Sequence, residues 1–167
     1  MTSLTIASIM LSLAVPSLSG MLAIQRSNST VNALVSVLNL ARNEAIKRNG
    51  RAVLCKSADG ATCMASGGWE QGWILFADAN NNATRDAGEA IIQIQAAAAS
   101  GLRVNGNAPI SRYVSYSASG SAKLTSGAFQ AGTLTVCQED AGGDVRQLVL
   151  SGTGRVRIQK GSPSDCL

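Results

Sequence analysis

Apolar positions along this chain change their period twice. From Leu4 to Ile24 they run nearly without interruption, and no charged side chain precedes Arg26. From Asn28 they thin to a stripe, with Val31, Leu34, Val35, Leu38, Ala41 and Ala45 recurring at spacings of three and four while Arg42, Lys47 and Arg48 fall elsewhere around the helix. The two stretches together predict one helix from Thr2 to Asn49, about 70 Å long at 1.5 Å per residue. Glu44 precedes Arg48 by one turn, Lys47, Arg48 and Arg51 suit the negative end of the helix dipole, and Gly50 is the expected stop.

Beyond Gly50 the period becomes two. Strands are expected at Arg51 to Lys56, Trp69 to Ala77, Ala90 to Gln95, Leu102 to Asn105, Tyr113 to Ser117, Thr133 to Gln138, Arg146 to Ser151 and Gly154 to Gln159, separated by clusters of Gly, Asn, Asp and Ser. LTVCQ and RVRIQK alternate, so each should bury one face. An antiparallel sheet resting on the striped half of the helix satisfies both patterns, giving an α+β fold: residues 1–27 as the transmembrane or bundle-packing part of the helix, and 28–167 as a globular head.

The uncharged opening is long enough to cross a hydrocarbon core, which needs roughly 20 apolar residues, although its Ser and Thr content makes it a weak spanner. A cleavable signal peptide would need a basic segment before the apolar run, and there is none. A buried helix of a soluble protein would need more apolar mass than the strand-rich remainder offers. Pro16 should kink the helix, a defect that membranes tolerate better than soluble folds do. A helix in lipid, or packed among similar helices, is the reading kept.

Cysteine usage points to export. Cys55 with Cys63 would close a short loop, and Cys137 with Cys166 would pin the C-terminal tail to a strand. Four cysteines allow three pairings, and the sequence alone does not choose; the sequential pairing is the expectation. Zinc would want closer paired spacings and usually His, and the chain has no His. That absence also removes Ser-His-Asp and Cys-His catalysis, and no P-loop is present, so no enzymatic activity and no cofactor are expected. Asp78, Asn80, Asn82, Thr84, Asp86 and Glu89 occupy the ligand positions of a calcium-loop template, but Ala83 stands where that template needs Gly and the flanks read as strands. An Asn-rich hairpin loop with Asx turns explains the same residues without metal. Trp69 and Trp73, four apart on one expected strand, should face the same side in packing.

The helix end NLARNEAIKRNG, the strand with Cys55, Cys63, then GGWEQGWILFAD followed by NNNATRDAGEAII, and finally SGTGRVRI, together resemble the GspH/FimT family of type IV minor pilins and pseudopilins. The resemblance covers nearly the whole chain; LNLARNEAIKRN joined to W-x-x-G-W and D-x-N-x-N is its most specific part. It implies a pilin-like fold, a head in the periplasm, anchorage in the bacterial inner membrane before assembly, and partnership with other pilins through the helix in a pilus at the cell surface. Family members carry a leader cleaved before a Phe or similar residue and a Glu early in the mature helix; neither is present here. The family's helix Pro also lies farther from the mature start, so the sequence is expected to begin a few residues downstream of that start.

Within the family a C-terminal G-R-x-R motif is associated with DNA binding in natural transformation, and Gly154, Arg155, Val156 and Arg157 match it. The chemistry agrees. On a strand Arg155 and Arg157 face one side roughly 6.6 Å apart, with guanidinium forks suited to phosphate, while Val156 and Ile158 can hold the strand to the core and Lys160 continues the exposed edge. From Val145 to Leu167, Arg146, Arg155, Arg157 and Lys160 stand against Asp165, a balance of +3, whereas Trp69 to Glu89 carries −3. The expected partner is double-stranded DNA bound through its backbone without sequence readout. No aromatic interleaves the arginines, so base stacking is not expected. Two structural alternatives stay open: arginines protecting an exposed edge strand, and a minor pseudopilin of type II secretion or a pilus-priming subunit without DNA binding.

Overall fold

The computed structural model describes residues 2–138 and 145–166, with side chains from Met21 onward. Helix α1 spans Thr2–Arg48, passing through Pro16 without interruption. The head carries β1 (Arg51–Lys56), β2 (Trp73–Asp78), β3 (Ile91–Gln95), β4 (Leu102–Gly106), β5 (Tyr113–Tyr116), β6 (Gly132–Gln138), β7 (Arg146–Leu150) and β8 (Val156–Lys160). The expected rod and all eight expected strands are there. The expected membrane span, Leu4 to Ile24, falls mostly on side chains outside the described residues; among the described residues no helix is long and apolar enough to cross a membrane.

The helix stops one residue earlier than the glycine implies. Asn49 takes the left-handed conformation (φ 48°), its N–H donating to the Ile46 carbonyl at 3.2 Å while that of Gly50 reaches back to Ala45 at 3.1 Å. That pair of bonds is a Schellman motif with Asn at the position glycine usually takes.

Two antiparallel sheets form where one was expected, with strand orders β3-β2-β1-β5 and β4-β6-β7-β8. Helix α1 packs on both, through β1, β2 and β5 of the first and β6, β7 and β8 of the second. Val31, Leu34, Val37, Leu38, Ala41 and Ala45 are buried there with Leu54, Leu75, Val104, Val136 and Leu148. Val37 replaces the half-buried Val35 of the expected stripe. The first sheet is covered on its far side too, where Val53, Cys55, Ile74, Phe76 and Ala83 form a second cluster. Burial on both faces is why RAVLCK and WILFAD read as continuous apolar runs rather than alternating ones.

The tryptophans correct the expected second strand. Trp69 lies in a 3-10 turn (Trp69–Gln71), and only after Gly72, at φ 109°, does β2 begin with Trp73. A β-carbon on Gly72 would meet the carbonyls of Gln95 and Ser57 at 2.6 and 2.8 Å, so the chain must turn there on glycine. Both rings are buried, and the Trp69 indole donates to the Ile110 carbonyl at 3.3 Å.

The sequential disulfides form: Cys55–Cys63 and Cys137–Cys166. The first holds the 57–62 loop over the first sheet, and the second holds the Pro163–Cys166 turn against the outer face of the second. Loop closure alone gives the longer link about 3.5 kcal/mol and the shorter one about 2.5 kcal/mol.

Candidate nucleic-acid interface

The strand pair β7–β8 sets the geometry of the basic residues. Leu148 pairs with Ile158 and Leu150 with Val156, while Val149 pairs with Arg157 and Arg146 with Lys160. Because Leu148 and Leu150 are buried, Arg157 lies on the opposite, outer face, and Arg146 and Lys160 share the parity of the core-facing residues. Lys160 therefore lies on the same exposed edge strand as Arg157 but on its other face. Ile158 also departs from expectation: Val156 packs on the core, but Ile158 is 46 % exposed.

The turn into β8 is built from its own small residues. Gly154 N–H donates to the Ser151 carbonyl at 2.8 Å, Ser151 N–H to the Arg155 carbonyl at 2.9 Å, and Gly154 sits at φ 82°. This is a tight hairpin turn closed by a glycine bulge. Gly154 is itself buried against the Gly120 carbonyl and the Tyr116 ring. It therefore holds the turn that precedes Arg155 in G-R-V-R. Burial raises the Tyr116 hydroxyl's pKa well above the ordinary phenol range, and the Arg42 guanidinium, lying over the Gly120 turn, pulls weakly the other way.

Arg155 and Arg157 are exposed, and neither makes a side-chain hydrogen bond or ion pair among the described residues. Arg26, Arg112 and Lys160 are exposed in the same way, whereas several other cations are engaged. Arg51 donates to Asn81, Ser115 and the carbonyls of Lys123 and Leu124; Arg85 donates to the Glu89 carbonyl; Arg48 and Lys47 pair with Glu44 at 2.6 and 3.7 Å. The Arg48 hydrogen bond, with Lys47 adding to it, lowers the Glu44 pKa. Lys56, buried and donating to the Gly67 carbonyl at 2.6 Å, has its pKa lowered by desolvation and by Arg112. Arg146 is half-buried and also engaged.

Sequence reasoning missed one neighbour. The 122–130 segment forms a hairpin in which Lys123 bridges Phe129, and Ala122 N–H donates to the Gly152 carbonyl at 3.1 Å, joining this hairpin to the turn that carries Arg155. Phe129 is 67 % exposed, and the Lys123 ammonium stands 5.2 Å from its ring centroid. The only trace in the sequence is a lone aromatic inside a Ser, Gly and Ala run, ordinarily read as loop.

The calcium-like loop turns its oxygens inward. Asp78 accepts from the amides of Asn82 and Ala83, Glu89 from those of Ala79 and Asp86, and Asp86 from the side-chain amides of Asn80 and Asn82. Asn80 and Asn82 make the expected Asx turns to Asn82 and Thr84. Among the described residues no group of three or more His, Cys, Asp or Glu is placed to hold a metal.

The family model for the type II transport protein GspH matches residues 30–154. The chain belongs to the GspH family of minor pilins and pseudopilins. This family match ends at Gly154, immediately before the two exposed arginines. Among solved structures the GspH-family chain resembles the type IV minor pilin FimU of Pseudomonas aeruginosa, at 19 % identity and a TM-score of 0.65, over 84 % of this chain and 94 % of that one. It also resembles the minor pseudopilin EpsH of the Vibrio cholerae type 2 secretion system, at 12 % identity and a TM-score of 0.54, over 81 % and 97 %. At these identities the likeness concerns the fold. No curated protein matches the chain in sequence.

Proposed function

We propose that this chain is a minor pilin that binds double-stranded DNA through Arg155 and Arg157 as part of a pilus for DNA uptake in natural transformation. The observation that carries this reading is the spacing of two exposed, unengaged guanidinium groups two residues apart where the turn enters β8: Arg48, Arg51 and Arg85 are occupied, and the equally exposed Arg26 and Arg112 stand singly. Such a pair meets adjacent phosphates without reading bases. Few contacts per subunit give weak binding, in the range of about 10⁻⁴ to 10⁻⁶ M at physiological salt, so several copies along a fibre would act together. The helix supplies assembly: Met21, Leu22 and Ile24 are 46–61 % exposed, a surface suited to neighbouring pilin helices, and to the inner membrane before assembly. The role is binding and structural rather than catalytic.

The likeness to EpsH favours a second reading, a pseudopilin of type II secretion whose arginines meet a neighbouring subunit. A gel shift of the full chain in mild detergent with duplex DNA, parent against Arg155→Gln/Arg157→Gln at two salt concentrations, separates them. DNA uptake predicts binding that weakens with salt and with the double substitution; no shift by the parent favours the secretion role.

A further inference from the structure

Phe129 is more exposed than any other large apolar side chain among the described residues, yet its root is fixed by its neighbours. Its neighbour Gln130 is fully buried, accepting from Ser115 N–H at 2.9 Å and donating to the carbonyls of Pro109 and Tyr113 at 2.8 and 2.9 Å. With Gln130 fixed inward, the ring points out. Gly152 backs it: a β-carbon there would come within 3.0 Å of the Phe129 β-carbon, so the turn leading to Arg155 lies against the root of the ring.

The surroundings select what such a ring would meet. Its neighbours in the hairpin are Ser126, Gly127 and Ala128, too small and too polar to complete an apolar pocket for another protein. No Asp or Glu occurs from Arg112 to Gln138 or from Val145 to Ser164, and Lys123 stands over the ring. A flat partner carrying negative charge fits an exposed ring with a lysine ammonium over it and the turn that leads to Arg155 against its root.

We propose that Phe129 is a stacking post for an unpaired nucleobase, with Lys123 and Arg155 taking the flanking phosphates, so that frayed ends and single-stranded stretches gain a contact that the paired interior of a bound duplex lacks. Paired bases hide their faces, so only unpaired ones can use the ring; stacking of this kind tolerates any base sequence. The inference rests on the phosphate-binding role of the arginine edge and deepens it by naming the form of DNA bound.

The test is fluorescence anisotropy of the full chain in detergent at low salt, with an oligothymidylate and a blunt duplex of equal length. Phe129→Ala is expected to weaken the oligothymidylate by about tenfold while changing the duplex by less than about twofold, and Phe129→Trp is expected to retain both. Retained duplex binding also certifies that the alanine variant is folded. If Phe129→Ala leaves the oligothymidylate unchanged while Arg155→Gln/Arg157→Gln weakens both DNAs, the stacking post is wrong and the arginine edge stands. A loss with Phe129→Ala alone keeps the post and rejects the arginines, and a parent that binds neither DNA rejects both.

Discussion

Gly154 packs so closely on the carbonyl oxygen of Gly120 that a β-carbon at position 154 would overlap it. The contact joins the turn that aims Arg155 to the turn beneath Arg42. It also yields a controlled comparison, because Gly127 has a similar backbone, φ 87° against 82°, with nothing near its missing β-carbon. Gly127→Ala should cost about 1 kcal/mol, the strain of a left-handed alanine, whereas Gly154→Ala should cost at least about 2 kcal/mol more as the two turns separate. Denaturant unfolding of both variants measures the difference. Gly154→Ala should also weaken DNA binding with both arginines intact.

Asp59 sits at the centre of the Cys55–Cys63 loop and accepts from the Thr62 hydroxyl and amide, the Ala61 amide and the Ser57 hydroxyl. The Thr62 hydroxyl contributes most to holding its carboxyl well below the usual carboxylate range. A depressed folded-state pKa gives stability that is complete above the unfolded pKa, about 3.9, and is lost as pH falls through and below that value. Melting temperature should therefore drop as pH falls from about 4 toward 2 in the parent. Asp59→Asn removes that part of the drop and starts from a lower plateau at neutral pH. Parallel curves for the two proteins would contradict the assignment.

The helix cap makes a stability prediction of its own. Asn49 holds a left-handed backbone that glycine adopts without strain, so Asn49→Gly should be neutral or stabilising by up to about 1 kcal/mol. Asn49→Val should destabilise by about 1 to 2 kcal/mol, since a β-branched side chain there meets its own backbone. Chemical denaturation distinguishes these signs.

Periodicity made the rod and the strands legible because each rests on a local rule. Val31, Leu34, Leu38, Ala41 and Ala45 report one packed face, and RVRIQK reports a strand, although only Val156 of it is half-buried. The second sheet was not legible, because strands at similar spacings pair equally well into one sheet or two; the partition depends on long-range register such as Arg51 with Asp78 and Leu102 with Gln138. Nor was the break between Trp69 and Trp73, where the single residue Gly72 outweighs the β-propensity around it. Arg155 and Arg157 were readable from a motif, but the opposite face of Lys160 follows from pairing with β7. Phe129 was invisible because its neighbours carry no periodic signal and its proximity to Gly152 bridges two turns far apart in sequence.

If Arg155 and Arg157 each contact a phosphate, as proposed, the slope of log binding constant against log salt for duplex DNA depends on both. Replacing both by Gln should make that slope shallower by about 1.8, near 0.9 per lost contact, and lower the affinity most at low salt. An unchanged slope in the double variant would contradict the account.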